Sequence, residues 1–96
     1  MINKEEIINI LQELKPELFS EFSVKEIGLF GSFSDNSFTD DSDIDLLVKF
    51  EKPTGWKILS LELYLEKVLG RRVDLVTEKA LKEQIKTHIL KQVLYI

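Results

Sequence analysis

Residues 43–50 read Asp-Ile-Asp-Leu-Leu-Val-Lys-Phe, and the prediction of the fold begins with this stretch. Side chains alternate across a β-strand, so every second residue lies on the same face. One face would carry only apolar side chains, namely Ile44, Leu46, Val48 and Phe50. The other face would carry Asp43, Asp45, Leu47 and Lys49. The pattern therefore predicts a strand that buries one face and presents two carboxylates on the other.

The sequence on either side of this strand predicts alternating helices and strands. Asn3 and Glu6 have the spacing of a helix capping box, and an apolar stripe at helical spacing follows them. Residues 25–30 and 73–76 read as two further strands. Between them, Gly31 to Asp41 reads as a polar loop. Residues 94–96 could add a short edge strand.

Two more amphipathic segments complete the predicted elements. One helix would follow Thr54 as its cap, with a buried stripe of Ile58, Leu61, Leu65 and Val68, and would end at Gly70 in a left-handed conformation. The last helix would carry Leu81, Ile85, Ile89 and Val93. The sequence thus predicts an α+β fold with a small mixed β-sheet of three or four strands and helices packed on one face. The face with the aspartates would stay open.

Composition limits the possible functions. A chain of 96 residues suits a single domain, 1–96, with no room for a separate substrate domain. The formal net charge of −4 disfavours direct binding to a nucleic-acid backbone. The absence of cysteine excludes disulfides and thiolate metal sites. The sequence shows no secretory signal and no apolar run long enough for a membrane, so we expect a cytoplasmic protein.

Three aspartates form the candidate catalytic and metal-binding group. Asp43 and Asp45 share a strand face, and Asp74 lies in the next strand between two apolar neighbours. Carboxylate oxygens are preferred ligands of Mg²⁺, and three acids with two metal ions suit phosphoryl or nucleotidyl transfer. Taken singly, each acid could equally be a solvated position at a strand entry or on an exposed strand face.

Gly31 and Ser32 directly follow the first predicted strand. Glycine allows the backbone to approach a phosphate closely, and a helical turn beginning there would direct free N–H groups at an anion. The alternative is a plain turn, since glycine and serine are common turn residues.

The combination of these motifs resembles the DNA polymerase β-like nucleotidyltransferases. Gly31-Ser32, ten positions ending in Ser42, and then Asp43-Ile44-Asp45-Leu46 have the spacing of that superfamily, and Val73-Asp74-Leu75-Val76 is similar to its third-aspartate strand. The short chain resembles the minimal nucleotidyltransferases, which are commonly paired with a HEPN-domain protein.

The resemblance implies a function for each of these residues. Asp43, Asp45 and Asp74 would bind two Mg²⁺ ions and carry catalysis. Gly31, Ser32 and Ser42 would bind the nucleotide. The reaction would transfer AMP from ATP to a hydroxyl, on a tyrosine of a partner HEPN toxin, so that the protein acts as an antitoxin. A homo- or hetero-oligomer is compatible with this scheme.

Two adjacent positions depart from the family pattern. Many members read Gly-Ser-x-x-Arg-Gly, whereas this chain has Asp35 and Asn36 at the last two positions. Asn36 can adopt the left-handed turn of a glycine, but Asp35 replaces a cation by a negative charge. A second hypothesis is therefore an inactive antitoxin that neutralises the toxin by binding alone. A third is nucleotide transfer to RNA or to a small molecule.

Several other residues admit two interpretations. Phe33 and Phe38 would either form a partner surface or pack into the core. Arg71 and Arg72 would either contact phosphate or form a solvated strand entry. Trp56 would either cover a nucleotide base or pack at the rim of the core. The only histidine of the sequence, His88, is expected on a helix surface.

Overall fold

The computed structural model describes residues 2–53, 55 and 57–96. Over these residues the chain forms three α-helices and four β-strands, with short 3₁₀ turns at 31–33 and 78–80. In chain order they are α1 (Lys4–Phe22), β1 (Val24–Phe30), β2 (Ile44–Phe50), α2 (Lys57–Leu69), β3 (Val73–Thr77), α3 (Glu83–Gln92) and β4 (Leu94–Tyr95). None of these helices is both long enough and apolar enough to cross a membrane.

The four strands form one mixed sheet in the order β3-β2-β1-β4. β1 pairs antiparallel with both β2 and β4, whereas β2 and β3 are parallel. A parallel pair needs a crossover connection, which α2 provides. The predicted α+β class with a small mixed sheet is confirmed, and so is the short edge strand near the C-terminus.

One face of the sheet packs against α1 and α2. α1 contributes Ile7, Leu11 and Leu18, and α2 contributes Leu61, Leu65 and Leu69. The strand residues of this core are Val24, Ile27, Leu29, Ile44, Leu46, Val48, Val73 and Leu75. The alternation in residues 44–48 therefore has the predicted orientation, with the even-numbered side chains buried among the helices.

The opposite face is only partly open. Ile89 of α3 packs with Phe30 and Leu47 in a second, smaller apolar cluster. Leu47 lies two residues from Asp45 and hence on the same side of β2. The expectation that the aspartate-bearing face stays open is thus correct for the end that holds Asp45 and wrong for the region beside Leu47. Phe30, Leu47 and Val76 give that face enough apolar surface to bind a helix.

Two apolar helix positions singled out from the sequence are exposed, and one of them, Val68, was predicted to be buried. Val68 is 37% exposed, and Leu69 takes its place in the core because α2 buries positions at intervals of four. Ile85 is 50% exposed because α3 begins only at Glu83 and is anchored through Ile89. The predicted left-handed Gly70 is confirmed, with a φ of 68°. The predicted roles of Thr54 and Trp56 lie outside the described residues.

The beginning of α1 offers a test of local stability. Asn3 Oδ1 accepts a hydrogen bond of 2.9 Å from the Glu6 amide, which confirms the first half of the predicted capping box. Replacing Asn3 by alanine should lower the free energy of unfolding by about 1 kcal/mol, because the amide loses its acceptor. Urea unfolding measures this loss, and the Asn3→Asp variant, which retains an acceptor, should unfold like the wild type.

Candidate active site

Asp45 and Asp74 are direct neighbours in the sheet. The parallel register of β2 and β3 pairs Asp45 with Asp74, and the two strand positions lie about 4.8 Å apart. Ile44 and Val73, one residue earlier, are buried in the core, so both aspartates lie on the opposite face. The structure therefore brings together two of the three predicted carboxylates through the crossover of α2.

Asp43 lies immediately before β2. The strand begins at Ile44, one residue later than predicted. Its Oδ1 atom is 3.4 Å from Nε of Arg72, whose side chain is 82% exposed. Exposed ion pairs contribute between zero and about 1 kcal/mol, so this contact constrains Asp43 weakly. Asp43 is nevertheless close enough to Asp45 for its charge to act on that carboxylate.

The pKa of Asp45 is raised from 3.8 to about 6. Partial burial of the carboxylate is the largest cause, followed by the negative charges of Asp74 and then Asp43. The three predicted acids thus repel one another at neutral pH. A cation bound among them would relieve this repulsion.

The donor set fits hard cations, but the side chains do not converge on one point. Three carboxylates are ligands of the kind that Mg²⁺ prefers. Among the described residues, however, no three His, Asp or Glu side chains are arranged to hold a metal ion. Asp43 faces Arg72, and releasing this exposed pair costs little. The residues therefore fit an Mg²⁺ site in their chemistry, with Asp43 as the side chain that has to reorient.

Gly31 lies against the carboxylate of Asp45. Its φ is +74°, in the left-handed region that side chains other than glycine rarely adopt. A Cβ atom at this position would overlap Oδ2 of Asp45. Glycine is thus required twice here, once by the backbone conformation and once by the approach of the carboxylate. The predicted Gly31–Ser32 turn does lie at the aspartates, and Ser32 follows within the 3₁₀ turn Gly31–Phe33.

Ser42 closes the loop that leads into Asp43. Its hydroxyl accepts a hydrogen bond of 2.9 Å from the amide of Thr39, and its own amide donates to the Thr39 carbonyl at 3.1 Å. The structure thus gives Ser42 a role within the loop. Its predicted role in nucleotide binding stays a prediction.

Asp35 and Asn36, the two residues that differ from the family pattern, lie in a local turn. Asn36 has a φ of 64°, which confirms the predicted left-handed conformation. The Asp35 carboxylate accepts hydrogen bonds from the hydroxyl and the amide of Ser37, and these bonds lower the pKa of Asp35. Asp35 is therefore a charged, exposed residue whose carboxylate closes the turn.

The two open alternatives for the aromatic pair are settled in favour of the core. Phe33 is fully buried, and its ring stacks on that of Phe38 with centroids 4.3 Å apart. Phe38 packs partly buried against the main core. His88 is exposed on α3, as predicted.

Two residues beside the site were not singled out from the sequence. Ser34 is buried, and its hydroxyl donates to the carbonyl of Gln92 at 2.9 Å, which connects the turn at 31–33 to the end of α3. Gly28 lies within β1, where a Cβ atom would overlap the side chain of Val93. A glycine inside an apolar strand is a signal for such a close approach. No comparable sequence signal marks Ser34.

A cleft of about 550 Å³ lies elsewhere on the sheet. It is lined by the far ends of β2 and β3, including Lys49, Phe50 and Thr77. Lys49 is four residues beyond Asp45, or roughly 13 Å along the strand. The cleft is thus separate from the aspartates, and we place the active site by the carboxylates and not by cavity size.

The raised pKa of Asp45 predicts a pH-dependent stability difference. The folded state binds the Asp45 proton more tightly than the unfolded chain, so the stabilising contribution of Asp45 is greatest below pH 4 and declines until about pH 6. The Asp45→Asn variant should therefore exceed the wild type in free energy of unfolding at pH 7.5. We expect a gain of about 1 to 2 kcal/mol, since partial exposure screens the repulsion.

Urea unfolding in EDTA between pH 4 and 8 measures this difference. The matched control is Asp40→Asn, which removes an exposed aspartate of the neighbouring loop. A gain for Asp45→Asn that is the same at pH 4 and pH 7.5 would contradict the prediction.

Comparison with known proteins agrees with this geometry. Residues 4–96 match the sequence profile of the nucleotidyltransferase domain family. Protein adenylyltransferase MntA of Thermococcus cleftensis is 46% identical over 97 residues, which cover 100% of this chain and 98% of that protein.

Solved structures show the same fold. A protein described as a minimal nucleotidyltransferase superposes with a TM-score of 0.80 at 31% identity, covering 97% of this chain and 95% of that one. A chain from a toxin–antitoxin crystal structure with AMP-PNP superposes with a TM-score of 0.69 at 25% identity, covering 98% of this chain and 72% of that one.

Proposed function

The chain belongs to the nucleotidyltransferase domain family, and from this premise we propose that it transfers AMP from ATP to a tyrosine hydroxyl of a partner HEPN toxin and so acts as an antitoxin. The observation that carries the proposal is the register pair Asp45–Asp74 beside the glycine turn at Gly31. The similar MntA protein is named as a protein adenylyltransferase. The similar toxin–antitoxin structure contains an ATP analogue.

The proposed reaction is a displacement at the α-phosphorus of ATP. The acceptor hydroxyl oxygen forms a new P–O bond, the bond between the α-phosphorus and the bridging oxygen breaks, and pyrophosphate leaves with its electron pair. Asp74 is exposed, whereas Asp43 and Asp45 are half-buried, so Asp74 is available to accept the hydroxyl proton. The carboxylate of Asp45 lies against Gly31, so Asp45 stands beside the turn proposed to bind phosphate.

Asp43, Asp45 and Asp74 would hold two Mg²⁺ ions. Bound there, the ions would supply neutralisation of phosphate charge and a lower pKa for the acceptor hydroxyl. Gly31 leaves room for a phosphate to approach the backbone, and Ser32 adds a hydroxyl beside it. The raised pKa of Asp45 supports this assignment, because it marks a site that gains from bound positive charge.

The remaining expectations belong to the same proposal. Residues 1–96 act as one catalytic domain in the cytoplasm, and the toxin supplies the surface that holds the acceptor tyrosine. The HEPN class of the toxin is supported by the resemblance of the short chain to the minimal nucleotidyltransferases.

Neutralisation by binding alone is the second candidate, and Asp35 favours it. Asp35 lies four positions after Gly31 and is exposed and negatively charged. Hydrogen bonds from Ser37 lower its pKa. A carboxylate there disfavours a nearby phosphate. Under this candidate the aspartate variants would still neutralise the toxin.

Label transfer from α-³²P-ATP to the toxin in the presence of Mg²⁺ distinguishes the two candidates. We expect label on a toxin tyrosine with the wild type and none with the Asp43→Asn, Asp45→Asn double variant. An intact complex that transfers no label from any nucleoside triphosphate would overturn the proposal in favour of binding alone. In that case, Asp35→Arg is the variant that tests whether Asp35 is the cause.

A further inference from the structure

We propose that Arg71 is a positioning residue, which sets the place of Asp43 relative to the glycine turn. The inference rests on the proposed function for its catalytic consequence, although the contacts stand without it. Arg71 reaches the loop before Asp43 with its guanidinium group and the turn after Gly31 with the face of that group. It therefore connects the two sequence motifs from a third position in the chain.

The first contact is with the loop at 39–42. Arg71 Nε donates to the Ser42 carbonyl at 2.5 Å, and Nη2 donates to the Thr39 carbonyl at 2.6 Å. The planar guanidinium presents two N–H donors in a fixed arrangement, so one side chain satisfies both carbonyls. A lysine ammonium in the same place lacks this fixed geometry.

The second contact is with the aromatic pair. The guanidinium carbon of Arg71 lies 5.2 Å from the ring centroid of Phe33. Phe33 belongs to the turn Gly31–Phe33 and is fully buried, with Phe38 stacked on it. An arginine at this distance from an aromatic face is attracted by the ring. The turn and the loop are therefore held by the same cation.

The backbone beside Arg71 completes the arrangement. The carbonyl of Arg72 accepts a hydrogen bond of 2.9 Å from the amide of Ile44. The main chain is therefore held on both sides of Asp43. The Arg71 side chain binds the carbonyl of Ser42, and the Arg72 carbonyl binds the amide of Ile44. Because both neighbours are held from the same strand entry, the backbone of Asp43 is fixed relative to Asp74, which lies three residues after Arg71, while the Asp43 side chain can still turn.

The two adjacent arginines therefore differ in role. Arg71 is partly buried and makes two short hydrogen bonds to main-chain carbonyls, whereas Arg72 is exposed and pairs with a carboxylate at 3.4 Å. Phosphate contact and solvated strand entry were the two expectations for this pair. The geometry makes Arg71 part of the loop structure and not a solvated strand entry, whereas phosphate contact stays a prediction.

The experiment compares Arg71→Lys with the wild type in the toxin complex. The lysine variant keeps the charge and loses the paired N–H donors, so the chain should stay folded. We expect the amides of Thr39 and Ser42 to exchange at least about 10-fold faster with solvent, while the amide of Leu46 in β2 is unchanged. The kcat for AMP transfer should fall about 10- to 100-fold with little change in KM for ATP, because Asp43 is misplaced.

Arg71→Ala and a surface control complete the design. Millimolar guanidinium should restore part of the transfer by Arg71→Ala, while Lys67→Ala, an exposed basic residue on α2, should behave like the wild type. Wild-type amide exchange in Arg71→Lys would overturn the inference, as would unchanged kcat in an active enzyme. A wild-type chain that transfers no AMP overturns the proposed function only, since the exchange of Thr39 and Ser42 still decides the role of Arg71.

Discussion

Asp45→Asn is expected to reduce the rate of AMP transfer by roughly 10³-fold while the chain remains folded. Asparagine has nearly the same shape, so it still fits against Gly31, but it removes the negative charge that would hold a cation between Asp43 and Asp74. The reaction would then lose electrostatic stabilisation at the α-phosphate. The variant should be at least as stable as the wild type at neutral pH, so a loss of folding cannot account for the lost rate.

Single-turnover label transfer to the toxin measures this effect. Asp40→Asn is the control, because it removes one charge from the same acidic region outside the site. Equal rates for Asp45→Asn and the wild type would show that the carboxylate pair has no part in transfer. A loss shared by Asp40→Asn would point instead to the overall negative charge of the loop.

Gly31→Ala is the second variant with a large expected effect. Its Cβ atom would overlap Oδ2 of Asp45, so the carboxylate would have to leave its place. A displaced catalytic group commonly costs about 100-fold in rate. The left-handed backbone at a φ of +74° adds strain of about 1 to 2 kcal/mol. We therefore expect both transfer and stability to fall.

Gly70→Ala separates these two causes. Gly70 also has a positive φ, of +68°, but nothing lies within 4 Å of a Cβ atom there. It should lose a similar amount of stability in urea unfolding and keep its transfer rate. If Gly70→Ala lost as much activity as Gly31→Ala, then backbone strain, and not the contact with Asp45, would be responsible.

The sequence predicted the site best where a regular pattern constrains a side chain. Alternation along residues 44–48 requires Asp45 to lie opposite the apolar core, and the structure agrees. The turn at Gly31 could be predicted because Gly31 directly follows the strand at residues 25–30 and begins a polar loop. The sequence placed Asp74 in the next strand but could not predict that it pairs with Asp45, because the parallel register depends on how α2 crosses the sheet.

Other features depend on tertiary contacts that leave no local pattern. The carbonyl contacts of Arg71 depend on the path of a loop 29 residues earlier, as the Nε contact with Ser42 shows. α3 lies on the aspartate-bearing face because Leu47 and Phe30 provide apolar surface there. The alternation of side chains alone could not show whether this face is covered by a helix or exposed to solvent. Val68 was misassigned because the exact phase of a helix decides which positions are buried.

The parallel pairing of β2 and β3 has a consequence for the order of assembly. Asp74 reaches Asp45 only after α2 has packed and β3 has joined the edge of the sheet, so the carboxylate group is absent from any partly folded chain. The same step brings like charges opposite each other: after burial, the charge of Asp74 is the next largest cause of the raised pKa of Asp45. Electrostatic repulsion between Asp45 and Asp74 therefore opposes the joining of the edge strand. Cations that favour the assembled site also favour completion of the fold.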